Sequence, residues 1–154
     1  MKPNKDQHDY IEKVGRWWEA AAGSRAGGRI LGWLMICDPP HQSSADLIEA
    51  LDLSAGSISN QLRFLEGLGL LERVTFPGDR VSYFQMRPHA WVEVMIEKQA
   101  GTAALVALAE SAQGVLPSDR PDRVTELARV AEFMNKEWPA LMDRLKEHLI
   151  EERA

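Results

Sequence analysis

Between Leu53 and Arg87 the chain carries side chains suited to hydrogen bonding rather than to bond breaking. Ser54, Ser57, Ser59, Asn60, Gln61 and Arg63 are short hydroxyls, amides and a guanidinium. Such groups bond base edges and phosphate oxygens. Further on, Pro77-Gly78-Asp79-Arg80 reads as a tight loop that presents a second arginine. The chemistry in view is recognition of a polar, anionic surface. No catalytic chemistry accompanies it, since the chain shows no nucleophile–base set and no Gly-rich phosphate loop. Gly27-Gly28 falls inside a helical stretch rather than after a strand. His8, His41, His89 and His148 are scattered singly, without metal-ligand spacing. We therefore expect no catalytic residue, no metal and no cofactor.

The elements that must hold these groups can be read from periodicity. Ser54 stands at an N-cap position, and Ile58, Leu62 and Leu65 recur at i, i+4 and i+7. This predicts a helix with one narrow apolar stripe, ending at Gly67 or Gly69, its remaining outer face including Phe64. Leu70–Phe76 and Val81–Met86 have the β-branched and aromatic content of two strands joined by the four-residue loop. Before them, Ser43-Ser44 with Asp46 forms a capping-box variant that opens a short helix burying Leu47, Ile48 and Leu51. The link Asp52-Leu53-Ser54 then allows only a tight helix-turn-helix.

Upstream, one helix is expected from about Lys5 to Ala22, stopped by Gly23, and another from Ser24 to Cys37, before Asp38-Pro39-Pro40. The adjacent Trp17 and Trp18 cannot face the same way. Gly27, Gly28 and Gly32 each weaken the second helix by about 1 kcal/mol, a cost that points to close backbone packing against another helix. Downstream, Pro88 is expected in the first turn of a helix closed by Gly114 and Pro117, and Asp119 as the cap of a last, long helix. In that helix Val124, Leu127, Ala131, Met134, Trp138, Leu141 and Leu145 alternate spacings of three and four, a heptad-type seam that wants another helix. Pro139 predicts a kink or a break near Glu137.

Composition limits the functional classes. The 154 residues carry a net charge of −5, which excludes a generic polyanion binder. Charge is uneven, however: four arginines face three acids from Leu53 to Arg87, whereas acids outnumber bases from Glu97 onward. A nucleic-acid contact must therefore be local, through an arginine-bearing face. A single cysteine excludes an internal disulfide. The polar start of the chain has no signal-peptide core, and no apolar run approaches a membrane span, so a cytoplasmic protein that avoids membranes is expected. Cys37, beside Leu34, Met35 and Ile36, is either a redox-sensing thiol or, more in keeping with those neighbours, an inert buried one.

The order helix, helix, short helix, polar-faced helix, two-stranded wing and long helices describes a mainly α fold with a small β-hairpin wing. Its winged helix-turn-helix core is expected over 24–88, between an N-terminal dimerisation helix over 1–23 and a C-terminal helical dimerisation region over 89–154. Gly27-Gly28-Arg29-Ile30-Leu31-Gly32, Asp46-Leu47 to Leu51, Leu53-Ser54 to Leu65, Gly69-Leu70-Leu71 and Pro77-Gly78-Asp79-Arg80 together resemble the MarR superfamily. The nearest likeness is to the branch that includes the repressor of glycine-betaine synthesis. The resemblance covers about residues 20–88; beyond it the likeness is only helical.

The resemblance implies a homodimeric regulator, acting as a repressor, on a pseudo-palindromic operator in double-stranded DNA. Ser54, Ser57, Ser59, Asn60, Gln61 and Arg63 would lie at the major groove and Arg80 at the minor groove, with Asp79 orienting the Arg80 guanidinium. The alternative is a winged-helix adaptor that binds protein. Arg25 and Arg29 are open to two readings, phosphate contacts or intrachain salt bridges. Trp17, Trp18, Trp33 and Trp91 are candidates for a pocket for a small, cationic or aromatic effector, against ordinary core and interface anchors. Ile11, Val14 and Trp18, with Val124, Leu127, Met134, Trp138, Leu141 and Leu145, are the expected dimer contacts.

Overall fold

In the computed structural model, which describes residues 2–112, 115 and 122–151, the backbone groups into two units, Met1–Ala90 and Trp91–Ala154. The first unit opens with α1 (Lys5–Ala22), whose N-cap Asn4 forms a reciprocal capping box with Gln7, and which ends on Gly23 in the left-handed conformation. Then comes α2 (Arg25–Leu34), capped by Ser24. The two helices approach as closely as the glycines suggest. A Cβ added to Gly28 would lie 2.5 Å from Trp18 Cβ and 2.8 Å from Gly15 Cα, and one added to Gly32 would lie 3.1 Å from Val14 Cβ. Helix α2 buries Ile30, Leu31, Trp33 and Leu34, and α1 adds Ile11 and Trp18 to that core.

A three-residue strand that sequence periodicity does not reveal, β1 (His41–Ser43), leads directly into α3 (Ser44–Leu51). The Ser43–Asp46 capping box forms as expected, with Asp46 Oδ2 accepting from the Ser43 amide at 2.8 Å and from its hydroxyl at 2.6 Å. These bonds, the hydroxyl's foremost, hold the Asp46 carboxyl below the usual carboxylate range. Asp52 then adopts a left-handed conformation and turns the chain into α4 (Ala55–Gly67), the second helix of the helix-turn-helix. Ile58, Leu62 and Leu65 are buried, which confirms the stripe.

Strands β2 (Leu71–Thr75) and β3 (Ser82–Met86) form the antiparallel wing, and β1 pairs with the other side of β3, giving the sheet order β1-β3-β2. The wing is therefore anchored at its base by a third strand. Gln42, 4% exposed, is fixed there: its amide nitrogen donates to Pro39 O and His41 O, and its oxygen accepts from Trp33 Nε1. After β3 the chain departs from expectation. Pro88 is not in a first helical turn; it precedes His89, which takes a left-handed φ of 60°, and the helix begins at Ala90.

The second unit consists of α5 (Ala90–Ala112) and α6 (Asp122–Glu151). Ala109, Ala131 and Met142 are buried, and the Trp138 indole N–H donates to Met95 O at 2.9 Å. Helix α6 runs through Pro139 without a break, so splitting at Glu137 does not occur. The expected closing residues Gly114 and Pro117 and the cap Asp119 lie outside the described residues. Among the described residues no helix is long and apolar enough to cross a membrane.

Candidate nucleic-acid interface

The polar groups of α4 are placed by its N-cap and its buried stripe. Ser54 is the exposed N-cap, its Oγ accepting from Ser57 N at 3.2 Å, which leaves the hydroxyl proton able to donate outward. With the stripe inward, Ser59, Asn60, Arg63 and Phe64 are exposed and Ser57 is half-buried. Among the described residues, Arg63 enters no ion pair and carries its charge to the surface. Gln61 differs from its neighbours. The residue is half-buried, and its Oε1 is buried beside Gly27 of α2, so that atom is not presented on the outer face. Its position carried a signal for this: with Ile58, Leu62 and Leu65 it completes an i, i+3, i+4, i+7 pattern, which is an inward position.

At the wing tip the chain turns through Pro77 and Gly78, with Asp79 N donating to Phe76 O at 3.0 Å and Gly78 at a φ of 82°. Asp79 does not orient the Arg80 guanidinium. Its carboxylate accepts from Val81 N at 2.9 Å and from Tyr83 OH at 2.8 Å, so it shapes the loop itself. Those bonds, the Val81 amide's first, hold the Asp79 carboxyl low, and the same contact pushes the Tyr83 phenol up. Arg80 is exposed on the loop so formed.

A cleft of about 470 Å³ lies between the start of α3, the side of α4 and the wing strands. Ser44, Ser59, Arg63, Arg73 and Ser82 line it with polar groups, over a floor that includes Leu62 and Phe84. Arg73, which sequence reasoning did not single out, lies over the Phe84 ring at 5.0 Å and donates to both Glu66 oxygens, Nε at 3.4 Å and Nη2 at 3.3 Å.

Of the two readings of Arg25 and Arg29, the structure shows intrachain pairs. Arg25 meets Glu12 at 2.6 Å, and Arg29 Nε meets the other Glu12 oxygen at 2.8 Å. The Arg25 hydrogen bond is the main reason that the Glu12 carboxyl sits below its usual range. Arg29 also donates to Leu51 O at 2.8 Å, which ties α1 and α2 to the end of α3.

Within the first unit, Trp17, Trp18 and Trp33 have separate environments. Trp18 is buried at the α2 glycines with Trp17 beside it, ring centroids 5.7 Å apart, and Trp17 is 54% exposed. Trp33 is buried and bonded to Gln42, and Trp91 belongs to the other unit. Ile11 and Trp18 are likewise consumed in packing within their own unit, and Val14 is half-buried against Gly32. In α6, Val124, Met134, Trp138 and Leu145 are half-buried, while Leu127 and Leu141 remain exposed. Cys37 is buried, and desolvation pushes its thiol up to about 11.

The winged helix-turn-helix can now be set beside known proteins. Over 137 residues the chain is 36% identical to the HTH-type transcriptional regulator MmpR5 of Mycobacterium tuberculosis, an alignment that spans 87% of this chain and 83% of that protein. The chain belongs to the MmpR5-like MarR family. The profile of MmpR5-like MarR family transcriptional regulators matches residues 89–148, and that of the bacterial regulatory protein arsR family matches residues 34–73. A crystal structure of a transcriptional regulator, 34% identical, superposes with a TM-score of 0.81 over 92% of this chain and 99% of its own. As a member of this MarR family the protein is a DNA-binding, winged helix-turn-helix transcriptional regulator, a class that is not enzymatic. The family match falls on the two long helices, where the motif resemblance was silent. The nearer likeness to the glycine-betaine branch is not among the relationships these comparisons show.

Proposed function

We propose that the protein is a cytoplasmic, homodimeric repressor that reads a pseudo-palindromic operator with α4 in the major groove and the Arg80 loop at the flanking minor groove. The observation that carries this reading is the outer face of α4. Ser59, Asn60 and Arg63 are exposed there on a helix whose apolar stripe is fully spent inward. Such a face offers hydrogen bonds to base edges, with Glu66 at its far end held by Arg73. The arginine-bearing cleft between α4 and the wing would follow the phosphate backbone, Arg63 and Arg73 supplying charge and Ser44, Ser59 and Ser82 hydroxyl donors. The acidic remainder of the chain limits non-specific binding.

Dimerisation would rest on the second unit. Leu127 and Leu141 of the heptad seam, together with Val130 and Phe133, are exposed on α6, and Leu105 and Leu108 on α5. Apolar area of this kind is what a second copy covers in a helical interface. The two reading helices should then stand about 34 Å apart, one turn of DNA. A small effector that favours a conformer with mis-spaced helices would relieve repression. The motifs of residues 20–88 support a further reading, that the chain lies near the glycine-betaine repressor branch.

The test is a fluorescence-polarisation titration of labelled mixed-sequence duplex at low salt. The protein should bind, and Arg80→Ala should weaken binding to all sequences and lower the salt slope by about one. Absence of binding by the unaltered protein would favour the protein-binding adaptor instead.

A further inference from the structure

Among the described residues three buried side-chain atoms make no hydrogen bond, and two of them are the indole N–H of Trp18 on α1 and the side-chain oxygen of Gln61 on α4. They are chemically complementary, since an indole nitrogen only donates and an amide oxygen only accepts. They also share a neighbour. A Cβ built on Gly27 of α2 would lie 2.6 Å from Gln61 Oε1 and 3.2 Å from Trp18 Nε1. Both atoms therefore border the same notch, which exists because residue 27 has no side chain. The Ser24 hydroxyl, 3.4 Å from the same point, already accepts from Gly27 N. Arg29 Nε, the other buried nitrogen without a hydrogen bond, is accounted for by the Glu12 carboxylate at 2.8 Å. One donor and one acceptor thus lie beside the same glycine, where three helices meet. Burying either without a partner is costly enough that native proteins rarely do so.

We propose that Trp18 Nε1–H donates to Gln61 Oε1 beside Gly27, reached by a small adjustment of the Gln61 amide, and that this makes Gln61 a positioning residue for the reading helix. The inference rests on the role given above to α4. Successive residues on a helix are turned by about 100°, so rotation of α4 about its axis swings Asn60 and Arg63 across the surface they read. A hydrogen bond from the inward side of α4 fixes that rotation. Because its donor stands on α1, a displacement of α1 is passed to α4. Gln61 thus sits beside the readers in sequence and acts from behind them.

The experiment joins a spectroscopic reading to a binding one, on the full chain. The Trp18 indole resonance in a ¹H–¹⁵N spectrum is assigned by its loss in Trp18→Phe, which keeps a ring and removes the donor. In the unaltered protein this proton should exchange slowly. Gln61→Met, of similar shape but without the acceptor, should shift the resonance and speed its exchange. Gly27→Ala, whose new methyl displaces the flexible Gln61 amide, should do the same. Against a duplex selected for tight binding, Trp18→Phe and Gln61→Met should each weaken affinity about three- to tenfold. The double variant should be no worse than the weaker single one, as expected of two partners in one contact. The proposal is overturned if the Trp18 proton exchanges as fast as that of the exposed Trp17, if Gln61→Met leaves its resonance unmoved, or if the two losses of affinity add. The two possible failures are distinguishable. Loss of the indole response with intact duplex binding removes this contact alone. An intact response in a chain that binds no duplex removes the reading role of α4, and the positioning role with it.

Discussion

Replacing Gly28 by alanine probes the close approach of α1 and α2. The added methyl would lie 2.5 Å from Trp18 Cβ, 2.8 Å from Gly15 Cα and 2.8 Å from Val14 O. Two of these atoms are backbone, and the third is the first carbon of a buried side chain, so none can swing aside; α1 and α2 must separate. Overpacking a close-packed site costs about 1–3 kcal/mol, and contact from three sides places this one at the upper end. Alanine recovers about 1 kcal/mol of helix propensity, leaving a net loss of about 2 kcal/mol. For a unit of about 90 residues that lowers Tm by about 8–16 °C. Gly67→Ala is the matched control: it also lies in a helix, but an added Cβ there meets nothing within 4 Å, so it should not lower Tm. Scanning calorimetry of both variants reads the difference directly. A Gly28→Ala protein as stable as its parent would refute the close crossing of α1 and α2, and with it the geometry that brings Trp18 to the Gly27 notch.

Three further outcomes follow from the site and its supports. Asn60→Ala should relax sequence preference at one operator position, by about 1–3 kcal/mol, with the overall fold unchanged; selection from a random duplex pool would show it, and retained preference at every position would remove Asn60 from the readers. Asp46, whose folded pKa is lowered by the Ser43 hydroxyl and amide, contributes stability that is complete at neutral pH and lost as pH falls below about 4. Asp46→Asn should accordingly flatten the acid limb of a Tm-against-pH curve, and an unaltered limb would contradict the capping role. Cys37, with its thiol pushed up to about 11, should at pH 8 hold about 100-fold less thiolate than an ordinary cysteine. Ellman's reagent should then react far more slowly with native than with urea-unfolded protein; equal rates would reopen the redox reading.

The parts of this fold legible in the sequence are those with a local cause. The Ser54 cap, the Ser43–Asp46 box and the Ile58–Leu62–Leu65 stripe are each written within one or two helical turns. The glycines of α2 announced a close neighbour through their cost alone, and α1 is that neighbour. What escaped is set at long range. Strand β1 has three residues, too few to show alternation, and exists because His41–Ser43 finds the free edge of β3 some forty residues later. The break expected at Pro139 followed a local penalty that α6 absorbs, with Trp138 fixed to Met95 on the companion helix.

Gln61 shows the boundary between the two kinds of information. Its spacing put it on the inward stripe and its polarity suggested the outer face, and a local reading has no means of weighing one against the other. The decision belongs to residues elsewhere: Gly27, which leaves room for the amide, and Trp18, which brings a donor to it across 43 positions of sequence. A polar residue in an apolar register is therefore more informative than either pattern alone, because burial obliges it to find a partner. On α4 that obligation separates the exposed groups, proposed to read DNA, from the one proposed to hold the helix in place.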